Sequence, residues 1–156
     1  MAYQGSHRHT VDSATGRVAI PSRFRKLTSE KANGAFVIMR GLDKCLCLYP
    51  SNVWRKDTRR LKSLPYTKKS VRRLRRRLFG ESEEVTLDDQ GRVIVPKHLL
   101  DYAEIDNEAV IVGAADVIEI WSPELYKRMM EESDKTVEQD LEEIEAIEDR
   151  QRRVRE

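Results

Sequence analysis

A chain of 156 residues, 36% charged and 39% hydrophobic, fits one ordinary soluble domain or two very small ones. Two very small ones would each bury too little apolar surface to stand alone, so fusion or oligomerisation is expected. No run of about 18 apolar residues occurs, and the opening MAYQGSHRHT lacks a basic segment followed by an apolar run; neither a membrane span nor a secretory signal is expected, and the reading is cytoplasmic.

The formal net charge of +2 conceals a segregation along the chain. Between Arg55 and Arg77 twelve Lys and Arg stand against Asp57 alone, and between Glu131 and Asp149 ten acids stand against Lys135 alone, before the basic ending RQRRVRE. A basic block of this density attracts polyanions without reading their sequence. It serves equally as a solvated helix face that pairs with the acidic tail, and the tail could in turn mimic phosphate and compete for the block.

In chain order the pattern reads strand, tight loop from Asp12 to Arg17, strand, and an amphipathic stretch SRFRKLTSEK opened at Pro21. A strand pair follows in FVIMRGLDKCLCLYPS, then a helix for which Ser51 is the expected N-cap. Thr67 is expected to cap a third helix carrying Val71, Leu74 and Leu78 on one face. The second half repeats the order with the loop Asp88 to Arg92, the stretch KHLLDYAEID and the strand pair AVIVGAADVIEIWSP. Ser122 then caps a last helix with Pro123 at its first position. There Val137, Leu141 and Ile144 make a stripe suited to a neighbouring subunit or the chain's own core, although a partly frayed acidic helix is the plainer expectation.

The most informative feature is an internal repeat, TVDSATGRVAIP recurring as TLDDQGRVIVP. Thr10, Val11, Asp12, Gly16, Arg17, Val18, Ile20 and Pro21 match Thr86, Leu87, Asp88, Gly91, Arg92, Val93, Val95 and Pro96, with one extra residue in the first loop. Each loop joins turn formers, a Gly able to take positive φ and an Arg at the start of the returning strand. An upstream Asp can hold the guanidinium fork towards a guanine edge or a phosphate, and it can equally form an ordinary loop ion pair. The same chemistry twice favours function over coincidence.

The cysteines Cys45 and Cys47 alternate along one strand, which places both on one face and favours a structural role. A zinc site needs about four ligands, and His7, His9 and His98 bear no recognisable spacing to this pair, so no metal is assigned. No cofactor is expected either. Asp88 beside Asp89, or Asp12 near His9, lacks the Gly-rich phosphate loop, nucleophile elbow or ligand spacing that would make an enzyme of it.

The twofold D-x-x-x-R pattern followed by an apolar strand and Pro, with RGLDKCLCLYPSNVW and VGAADVIEIWSPELY, resembles the MraZ family, a fusion of two AbrB-like swapped-hairpin modules. The likeness covers roughly residues 5–130. It implies an α+β fold with a small β-barrel-like core: a first module over 5–52, a basic helical segment over 53–80, a second module over 81–123 and a helical charged tail over 124–156. It further implies a regulator of transcription at the nucleoid that binds double-stranded DNA at short direct repeats upstream of a division and cell-wall gene cluster. A ring-like homo-oligomer is implied as well, with neither a membrane nor a small-molecule ligand as partner. Carried onto this chain, Arg17 and Arg92 fall at the DNA-reading positions, with Asp12 and Asp88 supporting them and Arg8, Arg23 and Arg25 as neighbouring phosphate contacts. In the first loop the spacing is D-x-x-x-x-R, so either Ser13 replaces the Asp or the loop bulges. The rival from another class is a scaffold that forms a ring through the same modules and uses its charged helices on a protein partner.

Overall fold

The computed structural model describes residues 2–156, apart from the side chains of residues 29–31. Its first half runs β1 (Ser6–Asp12), β2 (Arg17–Ala19), α1 (Ser22–Ala32), β3 (Ala35–Arg40) and β4 (Leu46–Pro50), then α2 (Ser51–Ser63) and α3 (Lys69–Gly80). The second half repeats the series as β5 (Glu83–Thr86), β6 (Arg92–Ile94), α4 (Lys97–Tyr102), β7 (Glu108–Ala114) and β8 (Val117–Trp121), and α5 (Pro123–Arg155) follows. The fold is α+β, with two copies of one module that share one barrel-like sheet.

The eight strands are ordered β5-β3-β4-β8-β7-β1-β2-β6 with antiparallel neighbours throughout. The copies are interleaved: β1 of the first pairs with β7 of the second, and β5 of the second pairs with β3 of the first. A pseudo-twofold axis passes through two ladders where equivalent strands meet, β2 with β6 about Val18↔Val93 and β4 with β8 about Cys47↔Glu119. The exchange brings the interior residues of both copies into one core, which is how two sequences too small to stand alone become stable together. Val18, Ile38, Leu46, Leu48, Val93, Ile111, Ile118 and Ile120 are fully buried within it.

On the outer face of β3 and β4 a second apolar cluster forms around Val37, Met39 and Trp54, with Tyr49, Leu78 and Phe79 against it. Trp54 of α2 meets Tyr49 and Phe79 at ring-centroid distances of 5.5 and 5.8 Å. Of the three residues expected on one face of α3, Val71 is buried and Leu78 joins this cluster, whereas Leu74 is 47% exposed. Residues seven apart share nearly one azimuth on a helix, while a residue three along sits about 60° to the side, which places Leu74 on the rim.

Two expected caps are shifted. Pro50, extended at φ −54° and ψ 140°, occupies the N-cap of α2, so Ser51 lies inside the first turn. Lys68 takes that place in α3, and the Thr67 carbonyl accepts from Arg72 instead, at 2.7 Å. Ser122 does immediately precede α5, with Pro123 at its first position.

Residues 124–156 form a unit of their own. Here α5 runs 33 residues, unbroken to Arg155 rather than frayed, and carries the ion pairs Arg128–Glu124 at 2.7 Å and Arg152–Asp149 at 3.6 Å. Val137, Leu141 and Ile144 are each about half exposed, and Ile147 extends their stripe. No helix among the described residues is long and apolar enough to cross a membrane.

Candidate nucleic-acid interface

Directly opposed residues of an antiparallel pair point to the same side of the sheet, and successive residues alternate. In the β2–β6 ribbon Val18 and Val93 point inward at 0% exposure, so Arg17, opposite Ile94, and Arg92, opposite Ala19, share the outward face. The two arginines are diagonal neighbours across this ribbon, and Ile94 between them is 53% exposed. The repeat alone shows two arginine loops; the β2–β6 register turns them into a single surface. That surface also recruits Ala19 and Ile94, which a reading of the motif misses and strand alternation could have supplied.

Each loop is closed by the other copy. Val95 donates its N–H to the Gly16 carbonyl at 2.8 Å, and Ile20 donates to the Gly91 carbonyl at 3.0 Å. Gly16 at φ +77° and Gly91 at φ +75° take the left-handed conformation that favours a residue without Cβ. A Cβ at Gly16 would lie 2.3 Å from the Val95 carbonyl oxygen, and one at Gly91 would lie 2.3 Å from Nη1 of Arg25. The half-buried Arg25 thus reaches from α1 over the second loop while its Nε donates to the Ile20 carbonyl at 3.0 Å.

The loops differ in how they hold their arginines. In the second, Oδ1 of Asp88 accepts from the Gln90 and Arg92 amides, both at 2.9 Å, while Oδ2 accepts from Nε of Arg92 at 3.1 Å. The Arg92 amide, ahead of the other donors, holds the Asp88 carboxyl below the usual carboxylate range. In the first loop Oδ1 of Asp12 accepts from the Ala14 amide at 3.1 Å and the Thr15 amide at 3.4 Å. The Arg17 amide donates instead to the Thr15 hydroxyl, at 3.3 Å. The added residue therefore widens the turn: Asp12 still closes the loop, Thr15 takes over the Arg17 amide, and no acid among the described residues forms an ion pair with Arg17. The Asp12 carboxyl also sits low, chiefly through the Thr15 side chain.

The remaining expected contacts are dispersed. Arg8 on β1 is joined to Glu108 at 2.7 Å, and Arg23 is exposed on α1. In the basic segment, Arg75 donates to the Lys62 carbonyl at 2.6 Å and so closes the end of α2. Its charge there serves the helical hairpin, as does that of Arg72.

These features define a class of protein: a single-chain barrel of two interleaved swapped-hairpin copies that presents two arginine-bearing loops on one ribbon. The MraZ protein family, described as antitoxin-like, matches residues 2–77 and again 78–146, and the chain belongs to this family. Among its relatives is the transcriptional regulator MraZ of Carboxydothermus hydrogenoformans, 43% identical over 124 residues, covering 80% of this chain and 83% of the relative. A second is the transcriptional regulator MraZ of Desulforamulus reducens, 37% identical over 142 residues, covering 91% and 96% respectively.

Proposed function

We propose that this chain is a non-catalytic, sequence-specific DNA-binding regulator of transcription in the cytoplasm, and that the outward face of the β2–β6 ribbon is its reading surface. The relatives' name as transcriptional regulators supports the class. The observation that carries the site is the placement of Arg17 and Arg92 on one outward face of the paired strands β2 and β6 at the end of the sheet, and the major groove admits a pair of strands. Each guanidinium can offer two donors to O6 and N7 of a guanine, and the methyl groups of Ile94 and Ala19 between them suit the C5-methyl of thymine. Arg8, Arg23 and Arg25 would contact flanking phosphates, with Asp88 keeping Arg92 oriented and Asp12 keeping the first loop closed.

One ribbon reads few bases, so useful affinity requires several copies engaging repeated sites together, each raising the effective concentration of the next. A ring-like homo-oligomer bound at the nucleoid to short direct repeats upstream of a division and cell-wall gene cluster fits that requirement. The test is fluorescence anisotropy of a labelled duplex carrying G-containing direct repeats from upstream of the gene, against a scrambled duplex, across a salt series. A preference that persists as salt rises, and that Arg17→Ala and Arg92→Ala each reduce by about ten- to a hundredfold, is the expected result. Equal affinities that collapse together with salt would overturn base reading and favour a scaffold that meets polyanions only through its basic helices.

A further inference from the structure

Cys45, Cys47 and Glu119 lie together on the outer side of β4 and β8, outside the arginine surface. Cys47 is paired with Glu119 across the β4–β8 ladder, where Leu46, Leu48, Ile118 and Ile120 turn inward and are fully buried. Sγ of Cys45 and Oε2 of Glu119 are 3.8 Å apart, and the three donor atoms all lie within 4.8 Å of one another. Glu119 stands 74 residues beyond Cys45, so no local spacing announces it.

We propose that Cys45, Cys47 and Glu119 form a three-donor site for one thiophilic divalent cation, zinc being the best match. Two thiolates and a carboxylate are a donor set that zinc accepts, and three protein ligands leave a fourth position for water or another ligand. With metal bonds of about 2.3 Å to sulfur and 2.0–2.2 Å to oxygen, tetrahedral edges come to about 3.6–3.8 Å. The Cys45–Glu119 separation already has that length, and the widest donor pair needs to close by no more than about 1 Å.

The surroundings are arranged to suit. Nε1 of Trp121 donates to Oε1 of Glu119 at 3.1 Å, which leaves Oε2 turned to the sulfurs and supplies the outer hydrogen bond that orients a ligating carboxylate. Gly41 packs against both sulfurs: a Cβ there would lie 2.6 Å from Sγ of Cys45 and 3.0 Å from Sγ of Cys47. Cys47 and Glu119 also face a cavity of about 390 Å³ between the sheet and α2, lined by Gly41, Met39, Tyr49 and Trp54 among others. That cavity gives the fourth position an entry path and an apolar wall. The pair Cys47 and Glu119 sits on the pseudo-twofold axis, so the site arises only where the two copies meet.

The experiment is a titration of the reduced full-length chain with Co²⁺ under anaerobic conditions, followed by Zn²⁺. One equivalent per chain should give saturable thiolate-to-cobalt charge-transfer absorption and d–d bands of four-coordinate intensity, both abolished by Zn²⁺. Cys47→Ser should remove most of the charge-transfer intensity, and Glu119→Gln should keep it while weakening binding at least tenfold. Trp121→Phe should weaken binding a few-fold with unchanged bands. Absence of a saturable band, its survival in a Cys45→Ser, Cys47→Ser double variant, or wild-type affinity in Glu119→Gln would overturn the proposal. Glu119→Gln alters a half-buried outer position and keeps the test open should the cysteine variants fail to fold.

Discussion

The two Asp-to-Arg loops descend from one motif, yet one residue separates their physics. In the loop from Asp88 to Arg92 a single carboxylate closes the turn and grips the arginine side chain through its second oxygen. In the loop from Asp12 to Arg17 the added residue moves the carboxylate one amide away, and closing the turn and orienting the arginine become separate tasks. An ion pair at the surface adds little stability, so the difference matters for orientation: under the proposed function Arg92 would meet DNA from a fixed pose, and Arg17 would be ordered on contact.

The largest effect expected from breaking this comparison concerns the glycines. Gly16→Ala would drive a Cβ into the Val95 carbonyl in a left-handed backbone, and roughly 3 kcal/mol or more of stability should be lost in urea unfolding. Gly91→Ala meets the Arg25 side chain from Cδ to Nη1 rather than backbone, and moving that side chain also costs its bond to the Ile20 carbonyl, so a smaller loss of about 2 kcal/mol is expected. Equal losses would mean that the loops are held alike.

Next come the carboxylates. Asparagine keeps an oxygen acceptor for backbone amides but presents N–H₂ where Arg92 needs an acceptor. Asp88→Asn should therefore lower affinity for the repeat-bearing duplex by about three- to tenfold, and Asp12→Asn should leave it within about twofold, as read by anisotropy. Equal effects from both would show that Asp12 orients Arg17 on the DNA after all.

A smaller effect is expected at Thr15, whose hydroxyl accepts from the Arg17 amide. Thr15→Ala should cost about 0.5–1 kcal/mol in unfolding and change the second loop's contribution to DNA binding not at all. The smallest effect is in acid. Asp12 and Asp88 both sit below 3.8 when folded, so the unfolded chain takes up these protons first. The stability they contribute is complete above that value and is lost as pH falls through it towards the folded values. The stability gap between the parent chain and each Asn variant should narrow on acidification, and a gap that widens would contradict the bonding described for both loops.

Much of the fold was legible because repeats and alternation are local. The order of strands and helices, the left-handed glycines and the inward valines follow from which residues recur and at what period. Ser51 and Thr67 misled because a neighbouring residue, Pro50 before the one and Lys68 after the other, holds the extended conformation of a cap, and cap preference by residue type does not see that competition. The role of Asp12 stayed open in the sequence, since inserting a residue and replacing one look the same until hydrogen bonds are drawn.

By itself the sequence determined that two copies of one module exist, that each carries an arginine just past a tight loop, and that charge is segregated into a basic and an acidic block. Only the tertiary structure decided that β1 and β5 are exchanged between copies, that Arg17 and Arg92 share a face with Ile94, and that Glu119 joins the two cysteines. These are contacts between residues far apart in the chain. They are set by burial of two half-cores in one barrel and by cross-strand register, and neither leaves a mark at any single position.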